Sequence, residues 1–176
     1  MTKSSVLDIE SLNHSLELGI WTLGIQQMER LYTFRYKSAP DHYTAQAYVL
    51  RCFDDRLWKT FKDFLKAQGY IHIDPASVAG GAKVLASPEK ESDRDFILRE
   101  IEKSIQFHHT EKVLLFAHSD CGAYGGLARF QGSEEEQFSF HRAQLAHAKA
   151  EVLKKFPDIQ VETYFIDTEG IICVSQ

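Results

Sequence analysis

The sequence predicts an α/β fold: a mostly parallel sheet of four to five strands with helices on both faces. Apolar segments alternate in type along the chain as strand, helix, strand, helix, strand, helix, strand, the order that winds a parallel sheet. The run Val113-Leu114-Leu115-Phe116-Ala117 is unbroken and apolar, as a strand covered on both faces requires. The length of 176 residues, 44% of them hydrophobic, suffices for one sizeable core, since a chain of this size removes roughly 70% of its unfolded surface from water.

Residues 1–44 read as an N-terminal arm. Leu12, Leu16, Ile20 and Leu23 fit a helical face, although Leu16, Leu18 and Ile20 also alternate and Gly19 and Gly24 interrupt both patterns. The expectation is a helical arm that packs on the body or on a partner. Residues 45–176 read as the α/β domain. Within Ala45–Arg51, Tyr48-Val49-Leu50 marks a short buried strand. Leu57, Phe61 and Leu65, flanked by Trp58 and Phe64, form a helical stripe that stops before Gly69. A second strand starts around Ile71-His72-Ile73, reaches toward Val78 and leads into Ala79-Gly80-Gly81. Ser92 with Asp95 has capping-box spacing for a helix whose face is Ile97, Ile101 and Ile105. Ser133 with Glu136 opens another helix, which runs to about Phe156 before Pro157. Ile159–Ile166 alternates as a last long strand, and Ile171–Val174 adds a short one.

Charge and cysteine usage exclude several classes. Lys+Arg 20 against Asp+Glu 25 leaves a net charge of -5. A phosphate backbone is repelled by that balance, and no basic run focuses binding locally, so no nucleic-acid partner is expected. No apolar run approaches the ~18 residues of a transmembrane helix, so no membrane residence is expected. Glu134-Glu135-Glu136 sits at a helix start, where the helix dipole favours negative charge. Three cysteines, without a secretory pattern, imply a reduced, cytoplasmic setting. There a cysteine is core filler, a metal ligand or a nucleophile.

Two segments carry chemistry, and each follows a predicted strand. In Cys52-Phe53-Asp54-Asp55-Arg56, an extended backbone would send Cys52, Asp54 and Arg56 to one side. In His118-Ser119-Asp120-Cys121-Gly122, a turn can bring the imidazole and thiol onto one metal. A helical segment after Cys121 would stabilise its thiolate. The carboxyl ends of parallel strands are where open α/β sheets bind ligands. If the two strands are neighbours, Cys52, His118 and Cys121 converge as a soft, zinc-like set with an open fourth position. Taken singly, a buried Cys is more often filler and a His more often a hydrogen-bonded residue; taken together, the spacing favours a metal site. His108-His109 reads as solvated, Cys173 as core or free thiol, and Asp120 as a cap or a surface carboxylate.

Cys52-x-Asp54-x-Arg56, with His118-x-x-Cys121-Gly122 following 66 residues after Cys52, resembles the β-class carbonic anhydrases. The resemblance implies Zn2+ held by Cys52, His118 and Cys121. It implies a catalytic dyad of Asp54 and Arg56 beside the fourth ligand, a water or hydroxide. The activity implied is that of a lyase, the reversible hydration of carbon dioxide to bicarbonate. The implied fold is a four-stranded parallel sheet with an extra edge strand. The implied assembly is a homodimer or higher homo-oligomer, with N-terminal helices crossing to the partner. This chain departs from the pattern where members often carry Arg-Asn-Ala, for Ser77-Val78-Ala79-Gly80-Gly81 stands there. Gln46 lies upstream of Cys52, but no bicarbonate-binding role is carried over to it. Two other functions fit the same scaffold: hydrolysis of carbon disulfide or carbonyl sulfide, and zinc binding without turnover.

Overall fold

The structure, a computed structural model, describes residues 31–174. The chain divides into two units, Met1–Pro40 and Asp41–Gln176. In the first unit the described residues, 31–40, carry neither helix nor strand. The Leu12, Leu16, Ile20, Leu23 face lies outside the described residues.

The second unit is a three-layer α/β body. Its strands are β1 (Ala47–Arg51), β2 (Ile73–Ser77), β3 (Lys112–His118), β4 (Gln160–Ile166) and β5 (Ile171–Cys173). Its helices are α1 (Trp58–Ala67), α2 (Lys83–Ala86), α3 (Glu91–His108) and α4 (Glu134–Lys155). The sheet order is β2-β1-β3-β4-β5. The first four strands run parallel and β5 pairs antiparallel to β4. The predicted sheet is thus present, with the short C-terminal segment as its antiparallel edge. Among the described residues no helix is long and apolar enough to cross a membrane.

Alternation along each strand divides the core in two. Tyr48, Leu50, Val113, Leu115, Ala117, Val161 and Phe165 face α2, α3 and α4. Ala47, Val49, Leu114, Phe116, Tyr164 and Ile166 face α1 through Phe61 and Leu65. Central β3 therefore needs apolar residues on both sides, which is why its sequence is a continuous run.

Two local readings change. The α3 helix begins at Glu91, and Asp93, not Asp95, accepts the N–H of Lys90 at 3.2 Å. Ser92 therefore lies inside the first turn, because the chain after Pro88 reaches helical geometry two residues earlier than the capping motif suggested. The short α2 has no counterpart in the sequence pattern; it is four residues long and is held by burial of Leu85 and Ala86. The other capping box stands as read, with Ser133 Oγ accepting the Glu136 N–H at 3.2 Å.

Polar clamps close the amino ends of the strands, opposite the site described below. Gln46 Oε1 accepts the N–H groups of Ile71 and His72, and its Nε2 donates to the Gly69 carbonyl. Gln46 thus fastens the turn between α1 and β2. Nearby, Asp74 accepts hydrogen bonds from Tyr43 Oη (2.7 Å), Ser104 Oγ (2.6 Å) and His108 Nδ1 (2.8 Å). His108 is therefore half-buried and paired rather than solvated. Burial pushes the Asp74 carboxyl up, but the bonds from Ser104, His108 and Tyr43 outweigh it and hold it below its usual range.

A depressed carboxylate stabilises the fold above its unfolded pKa of about 3.9, and that stability is lost as pH falls through the lower folded value. Asp74→Asn is expected to cost roughly 1–3 kcal/mol at neutral pH, because three donors lose an anionic acceptor. Thermal melts from neutral pH down to pH 3 should show a shallower acid decline for the variant than for wild type. Parallel declines would remove Asp74 from the acid response.

Candidate metal centre

The chain visits β1, then β2 on one side, then β3 on the other. The carboxyl ends of β1 and β3 therefore flank the point where strand order reverses, the usual binding crevice of an open α/β sheet. Their last paired residues are Leu50 and Leu115. Beyond that pair, the segment between β2 and α2 fills the gap. Val78 N–H donates to the Arg51 carbonyl and Ala82 N–H to the Phe116 carbonyl, both at 3.0 Å. Gly81, at φ 57°, lies so close that a Cβ there would meet Phe116 O at 2.5 Å and Cys52 N at 2.8 Å. The Gly80-Gly81 pair, which carries no Arg or Asn, thus has a backbone reason to be glycine.

Cys52 follows β1 directly, His118 ends β3, and Cys121 lies just beyond. All three are buried, and their ligand atoms lie within 4.8 Å of one another. His118 Nδ1 donates to the Ser119 carbonyl at 2.7 Å. That bond fixes the tautomer and leaves Nε2 as the ligating atom, the usual orienting device for a metal-binding histidine. Nε2 is buried with no hydrogen-bond partner. An orphaned buried nitrogen beside two sulfurs is an unfavourable arrangement by itself and a favourable one around a cation. Two thiolates and an imidazole suit a soft or borderline divalent metal and not magnesium or calcium. The cluster can coordinate a metal ion.

The sulfurs are electrostatically unequal. The hydrogen bond shared with Cys121 outweighs burial and lowers the Cys52 thiol, with help from the backbone N–H groups of Asp54 and Gly80. The same shared bond, with burial, pushes the Cys121 thiol up, although the N–H groups of Ala123 and Tyr124 oppose the shift. The N–H groups of the segment after Cys121 thus lower its thiol as expected, and the neighbouring sulfur outweighs them. The segment after it is a single 3-10 turn, Gly122–Tyr124, too short to outweigh a neighbouring thiolate. Metal binding takes both sulfurs as thiolates and so releases any thiol proton.

Asp54 and Arg56 stand beside the cluster. The chain is extended only as far as Asp54; there it turns, and Asp54 Oδ1 accepts the Arg56 N–H at 3.1 Å. The alternation that was to align the side chains is thus replaced by a 3-10 turn, Asp55–Leu57, that folds Arg56 back. Arg56 Nε donates to Asp54 Oδ1 at 3.0 Å and Nη2 to Oδ2 at 2.6 Å. This fork lowers the Asp54 carboxyl to about 2. The cleft in front measures about 860 Å3, and Phe53, Ala79, Gly80 and Ala123 are among its walls.

Asp120 is more than a cap or a surface carboxylate. Its backbone is left-handed, at φ 51°, and its N–H donates to the side chain of buried Gln137 at 3.2 Å. Its Oδ1 accepts the Leu127 N–H at 3.0 Å, and its Oδ2 accepts from Arg56 Nη1 at 3.3 Å. The sequence signal was only that Asp tolerates a left-handed turn. His141 carries no signal in the sequence. It is fully buried on α4 among Tyr124, Phe140 and Phe165, and burial lowers it to about 4, so it is neutral there. Cys173 lies exposed on β5, and Gln46 and His108 lie at the opposite strand ends.

Comparisons with known proteins point the same way. A family described as "Putative carbonic anhydrase" matches residues 43–175. Uncharacterized proteins of Rickettsia conorii and Rickettsia bellii are each 24% identical over 131 residues, which is 73% of this chain and 70% and 80% of theirs. The crystal structure of β-carbonic anhydrase isoform I from Trichomonas vaginalis matches with a TM-score of 0.54 at 11% identity, covering 96% of this chain and 98% of that one. That likeness is one of fold. The family match spans most of the α/β unit and takes in both strand ends that form the cluster, and on that ground the chain belongs to the β-carbonic-anhydrase-like family.

Proposed function

We propose that the protein hydrates carbon dioxide reversibly to bicarbonate, with Zn2+ held by Cys52, His118 and Cys121. The observation that supports turnover, rather than a purely structural metal, is the Asp54–Arg56 fork at the mouth of the cluster. A structural site has no use for an ionised carboxylate clamped beside an accessible cleft. When bound, the metal supplies Lewis acidity that ionises a water near neutral pH, tempered here because two thiolates cancel its charge.

The chain's own residues supply the rest. Held at about 2 by Arg56, Asp54 stays an acceptor across the physiological range. It accepts a hydrogen bond from the attacking oxygen and thereby orients a lone pair toward the carbon. Arg56 occupies both carboxylate oxygens and keeps Asp54 from turning inward as a ligand itself. Phe53, Ala79 and Ala123 offer the apolar contact that a linear, uncharged substrate needs.

Stopped-flow hydration of carbon dioxide by zinc-loaded protein tests this reading, with a rate expected to climb from about pH 6 toward about pH 9. Asp54→Ala and Arg56→Ala are each expected to keep one zinc per chain and lose roughly 10²-fold in hydration rate. A wild-type rate no faster than the uncatalysed reaction would overturn the reading, and turnover of carbon disulfide or carbonyl sulfide instead would identify the alternative. The reading includes a homodimer or higher homo-oligomer in which residues 1–44 pack on a partner, and light scattering of the full chain measures that mass.

A further inference from the structure

We infer that Asp120 is a positioning residue: by holding Arg56 from the metal-ligand loop, it keeps Asp54 out of the fourth coordination position. The inference rests on the proposed metal site and dyad, and not on the identity of the substrate. Arg56 lies between two carboxylates from opposite walls of the cleft. Asp54 takes Nε and Nη2. Asp120 takes Nη1 through Oδ2 at 3.3 Å, and its backbone carbonyl accepts from Nη2 at 3.4 Å. A guanidinium bonded only to Asp54 would move with it, since both sit on one short turn. Anchored on Asp120, it resists that movement.

Asp120 is itself built in. Gln137, 2% exposed on α4, accepts the Asp120 N–H through its side-chain oxygen. The Leu127 N–H holds Oδ1. Gly126, at φ 65°, makes room, because a Cβ there would meet Oδ1 at 2.9 Å. These contacts orient Oδ2 toward Arg56. The Arg56–Asp120 pair is more than half exposed on both sides, so it adds little to stability. Its consequence is orientation. It also joins the dyad turn after β1 to the loop that carries Cys121, so the two halves of the site are set in one frame.

The test is azide binding to the cobalt(II)-loaded protein, followed by visible absorption, since azide takes the fourth position and Asp54 would compete for it. Asp120→Asn keeps the acceptor for Leu127 N–H and tolerates the left-handed backbone, but turns an N–H2 group toward Arg56. It is expected to retain one cobalt per chain and to weaken azide binding roughly tenfold. In an Asp54→Ala background, the same change is expected to leave azide affinity unaltered, because no competitor remains. A purely structural role for Asp120 would weaken azide equally in both backgrounds, and that result overturns the inference. So does unchanged azide affinity in the Asp120→Asn single variant, or failure of wild type to bind azide. If Asp120→Asn loses cobalt, Arg56→Lys decides, since a single ammonium cannot span both carboxylates. It should weaken azide only when Asp54 is present, and any other pattern overturns the inference. Absence of carbon dioxide hydration would refute the proposed activity while leaving this binding cycle readable.

Discussion

Cys121→Ala is expected to purify without zinc and without hydration activity. Loss of an outer-shell partner typically weakens a metal site by about 10- to 100-fold, and loss of a ligand should exceed that, because Cys52 and His118 alone do not define a tetrahedral site. Among the described residues the buried cluster consists of Cys52, His118 and Cys121 alone. Asp54 is clamped by Arg56, and His141 lies within an aromatic cage. His118→Ala and Cys52→Ala should behave alike. Elemental analysis after dialysis against a mild chelator decides the matter. A Cys121→Ala protein that still held one zinc per chain would show that the three residues do not form the site.

Gly81→Ala is expected to be the most damaging glycine-to-alanine change among the described residues. At φ 57°, an added Cβ would stand 2.5 Å from Phe116 O, 2.8 Å from Cys52 N and 3.0 Å from Arg51 C. All three obstacles are backbone, so no side chain can swing aside. The left-handed conformation costs roughly 1–2 kcal/mol for a residue with a Cβ, and overpacking adds about 1–3 kcal/mol. For a chain of this size each kcal/mol lowers Tm by about 2–4 °C, so calorimetry should show a fall of roughly 4–20 °C. Zinc affinity should fall with it, because relief of the clash pushes the Cys52 backbone away from β3. Gly132→Ala is a control for left-handed strain alone, since nothing lies within 4 Å of its added carbon. Equal losses at both glycines would show that contact with β1 and β3 is not what Gly81 serves.

Much of this was legible in the residues because burial writes periodicity. β3 is apolar at every position from Val113 to Ala117 since helices cover both sheet faces. Phe61 and Leu65 mark the buried stripe of α1 since only one side of it meets the sheet. The cluster residues were legible because thiol and imidazole at strand ends are chemically distinctive. What escaped depends on tertiary approach. Helix α2 is four residues long, too short for any period, and exists because Leu85 finds a core. Gly80-Gly81 reads as an ordinary turn until the backbones of β1 and β3 close on it. Asp120 reads as a surface acid because its partner Arg56 is 64 residues away. The buried face of α4 opens with Gln137 and His141 before Leu145, Ala148 and Val152, so its polar start hid its inward orientation.

The separation of Cys52 from His118 also bears on how the molecule assembles. Between them lie α1, β2, α2 and α3, so a metal bound at the cluster closes a loop of 66 residues. In the denatured chain those ligands are far apart, and joining them costs roughly 4 kcal/mol in chain entropy by the polymer estimate for a cross-link of that span. An ion bound there would offset that cost by tying the end of β1 to the end of β3. On the ribosome Cys52 emerges long before its partners and waits as a solitary thiol. A metal held at the cluster would act as a clasp across the sheet and slow its opening.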